Sequence, residues 1–221
     1  MVVRPLIWSV RLQKVRRSLL EPIPELALAA KLLDAAADSL LQGRTTIASR
    51  LVEDANIPEI MEYTVRIVRK MSPEVHRQTH LPPVLPKSER EPTRMPNAQT
   101  ERTIFERDGW RCRFCETKVI SRKARTALIS SFPNETHWGP KEFERHSALY
   151  SMAVSLDHVV PHSRGGTNDL SNFVTACYCC QFGRGQFLLE ESELIDPREF
   201  EPIVDGWDGL SRIEELHESA T

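Results

Sequence analysis

The five cysteines constrain this chain most, because they occur in two tight groups and nowhere else in the sequence. Cys112 and Cys115 form one C-x2-C pair, and Cys177 and Cys180 form a second pair that encloses Cys179. Two such pairs can bring four thiolates to one tetrahedral Zn²⁺, which leaves no open coordination position. We therefore predict a structural zinc site built from both pairs, with Cys179 as a packed thiol outside it. The alternative, unrelated thiols in a core, is disfavoured by the clustering.

The cysteine usage also bears on the compartment. A secreted disulfide framework would usually contain an even number of cysteines. The first twenty residues are basic but lack the apolar region and cleavage site of a secretory signal, although such a start is also compatible with a mitochondrial presequence. No apolar run approaches the ~18 residues that a membrane span needs. We expect a cytoplasmic protein without a membrane partner.

The charge distribution is more informative than the net charge of −2. Residues 186–221 contain eleven acidic side chains and two arginines, so the rest of the chain carries +7. An acidic tail of this kind can conceal a basic, nucleic-acid-binding body. Within that body, residues 102–125 contain eight basic and three acidic side chains. We expect this basic run to form a phosphate-binding surface.

Apolar periodicity and prolines divide the chain into three parts. Residues 1–72 are predicted to be helical, with segments at 25–42, 45–54 and 58–70. Residues 73–97 contain six prolines and are predicted to form a linker. Residues 98–221 are predicted to form an α+β domain with the acidic tail, with a helix at 101–108, strands at 152–160 and 173–176, and a helix at 178–190.

A dense polar motif lies between the two cysteine pairs. Residues 157–166 read DHVVPHSRGG, and residues 172–185 read NFVTACYCCQFGRG. With RTIFERDGWRCRFC at residues 102–115, these pieces resemble the HNH nucleases of the ββα-metal fold, in the zinc-knuckle subgroup of the McrA-like restriction enzymes. The resemblance covers roughly residues 100–190. It implies a zinc-stabilised ββα-metal domain, preceded here by a helical N-terminal region of unknown role.

The chemistry of phosphodiester hydrolysis suits three residues of this motif. A histidine titrates near neutral pH and can accept a proton from water, which is the role predicted for His158. Asp157 supplies a hard oxygen ligand for Mg²⁺ or Mn²⁺. Adjacent residues of a strand face opposite sides, so both can serve one site only where the strand ends or distorts. Gly165 and Gly166 allow a tight turn, after which Asn172 can hold the histidine or its loop by hydrogen bonding.

The resemblance implies further site residues. Gln181 stands where the family usually has His or Asn as a metal ligand, so we expect it either to ligate the catalytic ion or to mark weakened catalysis. Arg184 occupies the family's basic position and is expected to contact phosphate. Arg164 and His162 are candidate nucleic-acid contacts, although His162 could also be a second site residue or a surface loop histidine. The 41 residues between Cys115 and Asp157 are long for this family. This insert contains His137, Trp138, His146 and Tyr150 and is either a specificity element or an embellishment.

These observations predict a metal-dependent endonuclease that acts on DNA, with structural Zn²⁺ and catalytic Mg²⁺ or Mn²⁺, in restriction or phage defence. A non-catalytic zinc module that binds nucleic acid is one alternative. Another is a nuclease effector that becomes active only when a protein partner binds the helical N-terminal region.

Overall fold

The computed structural model describes residues 16–69, 72, 74–76, 80–92 and 95–220, with side chains as far as residue 216. The basic start of the chain before Arg16, and parts of the predicted helical region and linker (70–71, 73, 77–79 and 93–94), lie outside the described residues. The helices are α1 Pro24–Leu41, α2 Thr45–Asp54, α3 Pro58–Val68, α4 Ala98–Arg107, α5 Arg122–Ser131, α6 Pro133–Thr136, α7 Ser147–Ser151 and α8 Tyr178–Arg184. The strands are β1 Val154–His158 and β2 Phe173–Cys177.

The first three helices begin and end within two residues of the predicted positions. Pro24 and Pro58 stand in the first turns of α1 and α3, where the missing N–H of proline costs nothing. Gly43 follows α1 with a φ of 71°, a left-handed conformation that favours glycine. The buried face of α1 is mostly alanine, which lets α2 pack closely against it.

The centre of the C-terminal region is a two-stranded antiparallel sheet followed by a helix. Strand β1 pairs with β2 in a register that joins Val154 to Cys177 and His158 to Phe173. Helix α8 begins directly after β2, so the second cysteine pair spans the junction of strand and helix. This arrangement confirms the predicted α+β fold class.

One continuous hydrophobic cluster joins the helices at the start of the chain to the sheet. It extends from Leu33 in α1 and Ile60 in α3 to Leu156 in β1 and the cysteine cluster. Helix α3 packs on α8 and on α7. The proline-containing segment 80–92 runs along the loop after β1, where Leu85 N–H donates to Ser163 O at 2.9 Å. A division into domains at 73–97 stays a prediction.

The acidic C-terminal segment folds back onto the body. Trp207, Leu210 and Ile213 are buried, and the Trp207 indole N–H donates to Val119 O at 2.9 Å. The acidic side chains of this segment pair with the basic run 102–125: Asp205 with Arg111 and Lys118, and Glu214 with Arg102. The expected phosphate surface is therefore largely neutralised from within the chain.

No helix among the described residues is long and apolar enough to span a bilayer.

Candidate active site

Four cysteines converge at one point beneath the sheet. The Sγ atoms of Cys112, Cys115, Cys177 and Cys180 all lie within 4.8 Å of one another, and all four residues are buried. A tetrahedral Zn²⁺ with bonds of ~2.3 Å separates its sulfur ligands by about 3.8 Å. The Sγ atoms of Cys115 and Cys177 are 3.7 Å apart. The cluster has the donor set and dimensions of a structural zinc site and could hold that ion.

Cys179 is the fifth buried cysteine, and its thiol lies beside that of Cys177. Its thiol donates to Thr64 Oγ1 in α3 at 3.6 Å, and the residue is buried between α8 and α3. The group of cysteines that could hold one ion does not include Cys179, and its role as a packed thiol stays a prediction. The same helix thus contributes Cys180 to the metal centre and Cys179 to the packing of the N-terminal helices.

Asp157 and His158 occupy the last two positions of β1 and line one cleft of about 640 Å³. Because the strand ends at His158, its side chain is released from strict alternation and can share a surface with its neighbour. This is the local distortion that the sequence requires if both residues serve one site. The cleft also receives Arg90 from segment 80–92 and Arg122 from α5.

Asn172 fastens the loop that follows His158. Its Oδ1 accepts from Val160 N–H at 2.9 Å, and its Nδ2 donates to Thr167 O at 2.8 Å and to Val160 O at 3.2 Å. Gly166 is required in this loop because a Cβ atom there would lie 1.8 Å from Val160 O. Asn172 therefore holds the loop, as the sequence predicts, rather than the imidazole itself.

The His158 ring has its own partner. Its Nε2 lies 3.0 Å from Asn168 Oδ1, and its centroid is 4.4 Å from that of Phe173. The backbone N–H of Asn168 in turn donates to Glu91 Oε2 at 2.9 Å. An amide oxygen at Nε2 selects the tautomer protonated there, so the basic lone pair lies on Nδ1.

Asp157 is held by an arginine. Arg184 Nη2 donates to Asp157 Oδ2 at 2.7 Å and to His158 O, while Nη1 donates to Val159 O at 3.1 Å and to Phe187 O at 3.0 Å. The Arg184 side chain is only 1% exposed. A buried guanidinium in these contacts locks the carboxylate and the end of β1 to α8.

The ββα geometry around Asp157 and His158 agrees with a comparison against protein families. Residues 147–193 match the family model described as HNH endonuclease. We call residues 147–193, which are similar to this family, the HNH domain. Neither the curated proteins nor the solved structures contain a significant match to this chain. The match begins at residue 147 and does not include Cys112 and Cys115. The zinc-knuckle McrA-like subgroup therefore stays a prediction.

The HNH domain has few side chains that could bind a second, catalytic ion. Asp157 lines the cleft. Within the described part of the chain, Arg184 is its one side-chain partner and binds Oδ2, while Oδ1 receives no hydrogen bond. The Gln181 amide is bonded to β1, because its Nε2 donates to Leu156 O at 3.0 Å and its Oε1 accepts from the Ser155 hydroxyl. One carboxylate and one amide oxygen in the same cleft could hold an ion such as Mg²⁺, which keeps most of its water and binds substrate phosphate.

The nucleic-acid contacts expected in the HNH domain are placed differently from the prediction. Arg184 is buried against Asp157 and presents no surface to a phosphate. Arg164 makes a two-pronged pair with Glu191, at 2.9 and 3.0 Å. His162 lines the cleft, with its Nε2 2.9 Å from Glu91 O. Of the three, His162 alone lines the cleft, and the two arginines instead hold the HNH domain together.

Two further residues of the HNH site escaped the sequence analysis. Asn168 lies between the two quoted stretches 157–166 and 172–185, and nothing in its spacing indicates that it would reach His158. Glu91 lies in the predicted linker, 77 positions before the Asn168 amide that it accepts from. Only the packing of segment 80–92 on the loop reveals its connection to the site.

The insert between Cys115 and Asp157 contains α5, α6 and α7, and α6 packs on α2. The His146 Nε2 donates to Val52 O at 2.8 Å, and its Nδ1 accepts from Leu149 N–H at 3.3 Å. Burial lowers the pKa of His146 below its ordinary value. His146 is therefore a neutral structural residue. Trp138 and Tyr150 lie on the other side of the insert, towards α8.

Proposed function

We propose that this protein is a metal-dependent endonuclease that hydrolyses phosphodiester bonds in DNA. The observation that carries the proposal is the pair Asp157–His158 at the end of β1. Both side chains line one cleft, and each is held by a separate partner, Arg184 for the carboxylate and Asn168 for the imidazole. A base and an ion ligand fixed side by side supply what phosphodiester hydrolysis needs.

In the proposed reaction, His158 Nδ1 accepts a proton from water as the water oxygen attacks phosphorus. The P–O bond to the leaving nucleotide breaks, which gives a phosphate monoester and an alcohol after the leaving oxygen is protonated by solvent. Asn168 keeps the proton on Nε2, so that Nδ1 carries the basic lone pair. A divalent ion at Asp157 would stabilise the negative charge that develops on the leaving oxygen.

The role of the loop is to hold this geometry. Asn172 ties Val160 to Thr167, and this closes the turn that carries Asn168 back to His158. Glu91 fixes the backbone of Asn168 from the opposite side. Loss of either support would leave His158 in place on β1 but free its ring to rotate, which lowers the rate without removing the base.

The test is the conversion of supercoiled plasmid to nicked or linear DNA by the full-length protein. We expect cleavage with Mg²⁺ or Mn²⁺, no cleavage without an added divalent ion, and none by Asp157→Ala. DNA binding without cleavage under any of these conditions would instead support a non-catalytic zinc module.

One observation favours the alternative function, a non-catalytic zinc module that binds nucleic acid. Gln181 has its amide bonded to Ser155 and Leu156, and Arg184 occupies one oxygen of Asp157. Both groups are therefore partly engaged before any ion binds. Activation by a protein partner at the N-terminal helices, and a setting in restriction or phage defence, are further proposals. Cleavage by the purified protein alone would oppose the first of these.

A further inference from the structure

A surface leads from the candidate cleft onto the insert, and two chains of contacts define it. Phe182 of α8 lines the cleft and is 56% exposed. Its ring contacts that of Tyr178 at a tilt, with 4.4 Å between the ring centroids. The Tyr178 and Tyr150 centroids are 4.3 Å apart, and Tyr150 contacts Trp138 edge-on at 6.3 Å. Residues 137–146 of the insert form a hairpin closed by an antiparallel bridge between Trp138 and Arg145. The aromatic rings are therefore continuous from the cleft to this hairpin.

The second chain of contacts is made of arginines. Arg122 lines the cleft at the start of α5, and Arg125 follows one turn later with its guanidinium 5.3 Å from the Trp138 ring centre. Arg145 approaches the same ring at 5.5 Å. Both chains begin in the cleft and meet at Trp138, so they border one face. We call this the insert face: Phe182, Tyr178, Trp138, Arg122, Arg125 and Arg145.

The charge of the insert face is not neutralised as it is elsewhere. Arg122 pairs with Glu101 at 3.1 Å, but within the described part of the chain no carboxylate pairs with Arg125 or Arg145. Burial, and then the positive charges of Arg122 and Arg145, lower the pKa of Arg125 below its ordinary value. Glu142 lies nearby, where it accepts a hydrogen bond from the Tyr150 hydroxyl at 3.0 Å. Most arginines of the basic run are ion-paired, so this contrast marks the insert face as a site for an anion.

Exposed aromatic rings beside unpaired arginines match the chemistry of an unpaired nucleic-acid strand. Bases stack on aromatic rings, and arginines bind the phosphates that connect them. A protein partner would not require this mixture next to a phosphodiesterase cleft. The hairpin is also firmly held, because His146 at its base is bonded to Val52 O and the Arg145 guanidinium to Gly139 O.

We propose that the insert face binds a single-stranded segment of DNA adjacent to the phosphate that enters the cleft, with Phe182 stacking on a base and Arg125 contacting a phosphate. This inference rests on the proposed nuclease function and adds a substrate class: DNA with unpaired nucleotides beside the cleavage site. It assigns the insert as a specificity element rather than an embellishment.

The experiment measures fluorescence anisotropy of a labelled 12-nucleotide strand and of its duplex, with full-length protein and no added divalent ion. Phe182→Leu keeps an apolar side chain against Tyr178 but removes the stacking surface, and Arg125→Gln removes one charge. We expect each change to weaken binding of the strand at least ~5-fold, because loss of a stacked base costs about 1–3 kcal/mol. Binding of the duplex should change less.

Two substitutions serve as matched controls. Phe143→Leu alters a ring that is 69% exposed on the same hairpin but outside the insert face. Arg44→Gln removes an exposed arginine from the turn between α1 and α2. Both should bind the strand like the wild type, and melting temperature and zinc content should confirm that every variant is folded.

Three results would overturn the inference: no binding of the strand by the wild type, unchanged binding by Phe182→Leu, or equal loss of strand and duplex binding. Failure of the nuclease proposal is separately visible. If plasmid cleavage is absent but Phe182→Leu and Arg125→Gln lose strand binding, the insert face stands as a binding site and the catalytic assignment falls. If cleavage is present and both variants bind normally, only the insert face is refuted.

Discussion

Replacing Arg184 by methionine should destabilise the protein strongly, since the side chain is the buried partner of Asp157. The substitution removes donors from the Asp157 carboxylate and from the backbone oxygens of His158, Val159 and Phe187. Removing one member of a buried ion pair costs about 3–5 kcal/mol. A protein of this size loses about 2–4 °C in melting temperature per kcal/mol, so we expect a decrease of roughly 6–20 °C.

The assay is thermal unfolding followed by circular dichroism, together with the salt dependence of DNA binding. Asp157→Asn in the Arg184→Met background should recover part of the loss, because it removes the unpaired buried charge. A phosphate contact would behave differently: its loss lowers the slope of log affinity against log salt by about 0.7–0.9 and leaves stability nearly unchanged. That result would refute the buried role of Arg184 and restore the prediction from sequence.

Three other predictions concern the metal centre, the pH dependence of stability and Gln181. Purified protein should contain close to one Zn²⁺ per chain; Cys112→Ser should lose it and unfold more easily, and Cys179→Ser should keep it, whereas equal zinc loss in both would contradict the ligand assignment. Burial lowers the pKa of His146, so the folded state favours its neutral form. The neutral imidazole therefore contributes fully to stability above the pKa of histidine in the unfolded chain, about 6.5, and this contribution is lost as the pH falls below that value. Melting temperature should accordingly drop less between pH 7.5 and 5.5 in His146→Asn than in the wild type, and identical pH profiles would rule His146 out as the cause. Gln181→Ala should raise the Mg²⁺ concentration for half-maximal cleavage, and Gln181→Asn should do so too because its shorter side chain cannot keep the contacts to Ser155 and Leu156; equal Mg²⁺ dependence in all three proteins would remove Gln181 from the ion site.

Local patterns were sufficient to predict several elements. Pro58 at the start of α3 and Gly43 after α1 give their signals within one or two turns, and α2 has the predicted bounds Thr45–Asp54. The four-cysteine cluster could be predicted because the cysteines occur only in two tight groups, each of which brings two thiolates to one turn. The turn at Gly165–Gly166 and the bonding of Asn172 to the loop are also local to the motif.

The features that escaped prediction depend on contacts between distant parts of the chain. Arg212 pairs with Asp34 across 178 positions, and no local pattern shows that the acidic tail would return to α1. The buried histidines His76 and His146 each bind a backbone oxygen of a helix far away in sequence, Gly183 O and Val52 O. The sequence motif predicts that Arg184 contacts a phosphate, because the motif gives the residue type but not the burial of its side chain.

The most direct measurement of the central claim is plasmid cleavage by His158→Ala, with zinc content and melting temperature determined on the same preparation. We predict that cleavage falls by at least ~10²-fold, because the general base is lost. Zinc content should stay close to wild type, because His158 is not one of the four clustered cysteines, and the melting temperature should show that the variant is folded. Undiminished cleavage by folded, zinc-containing His158→Ala would contradict the assignment of His158 as the base and with it the proposed mechanism.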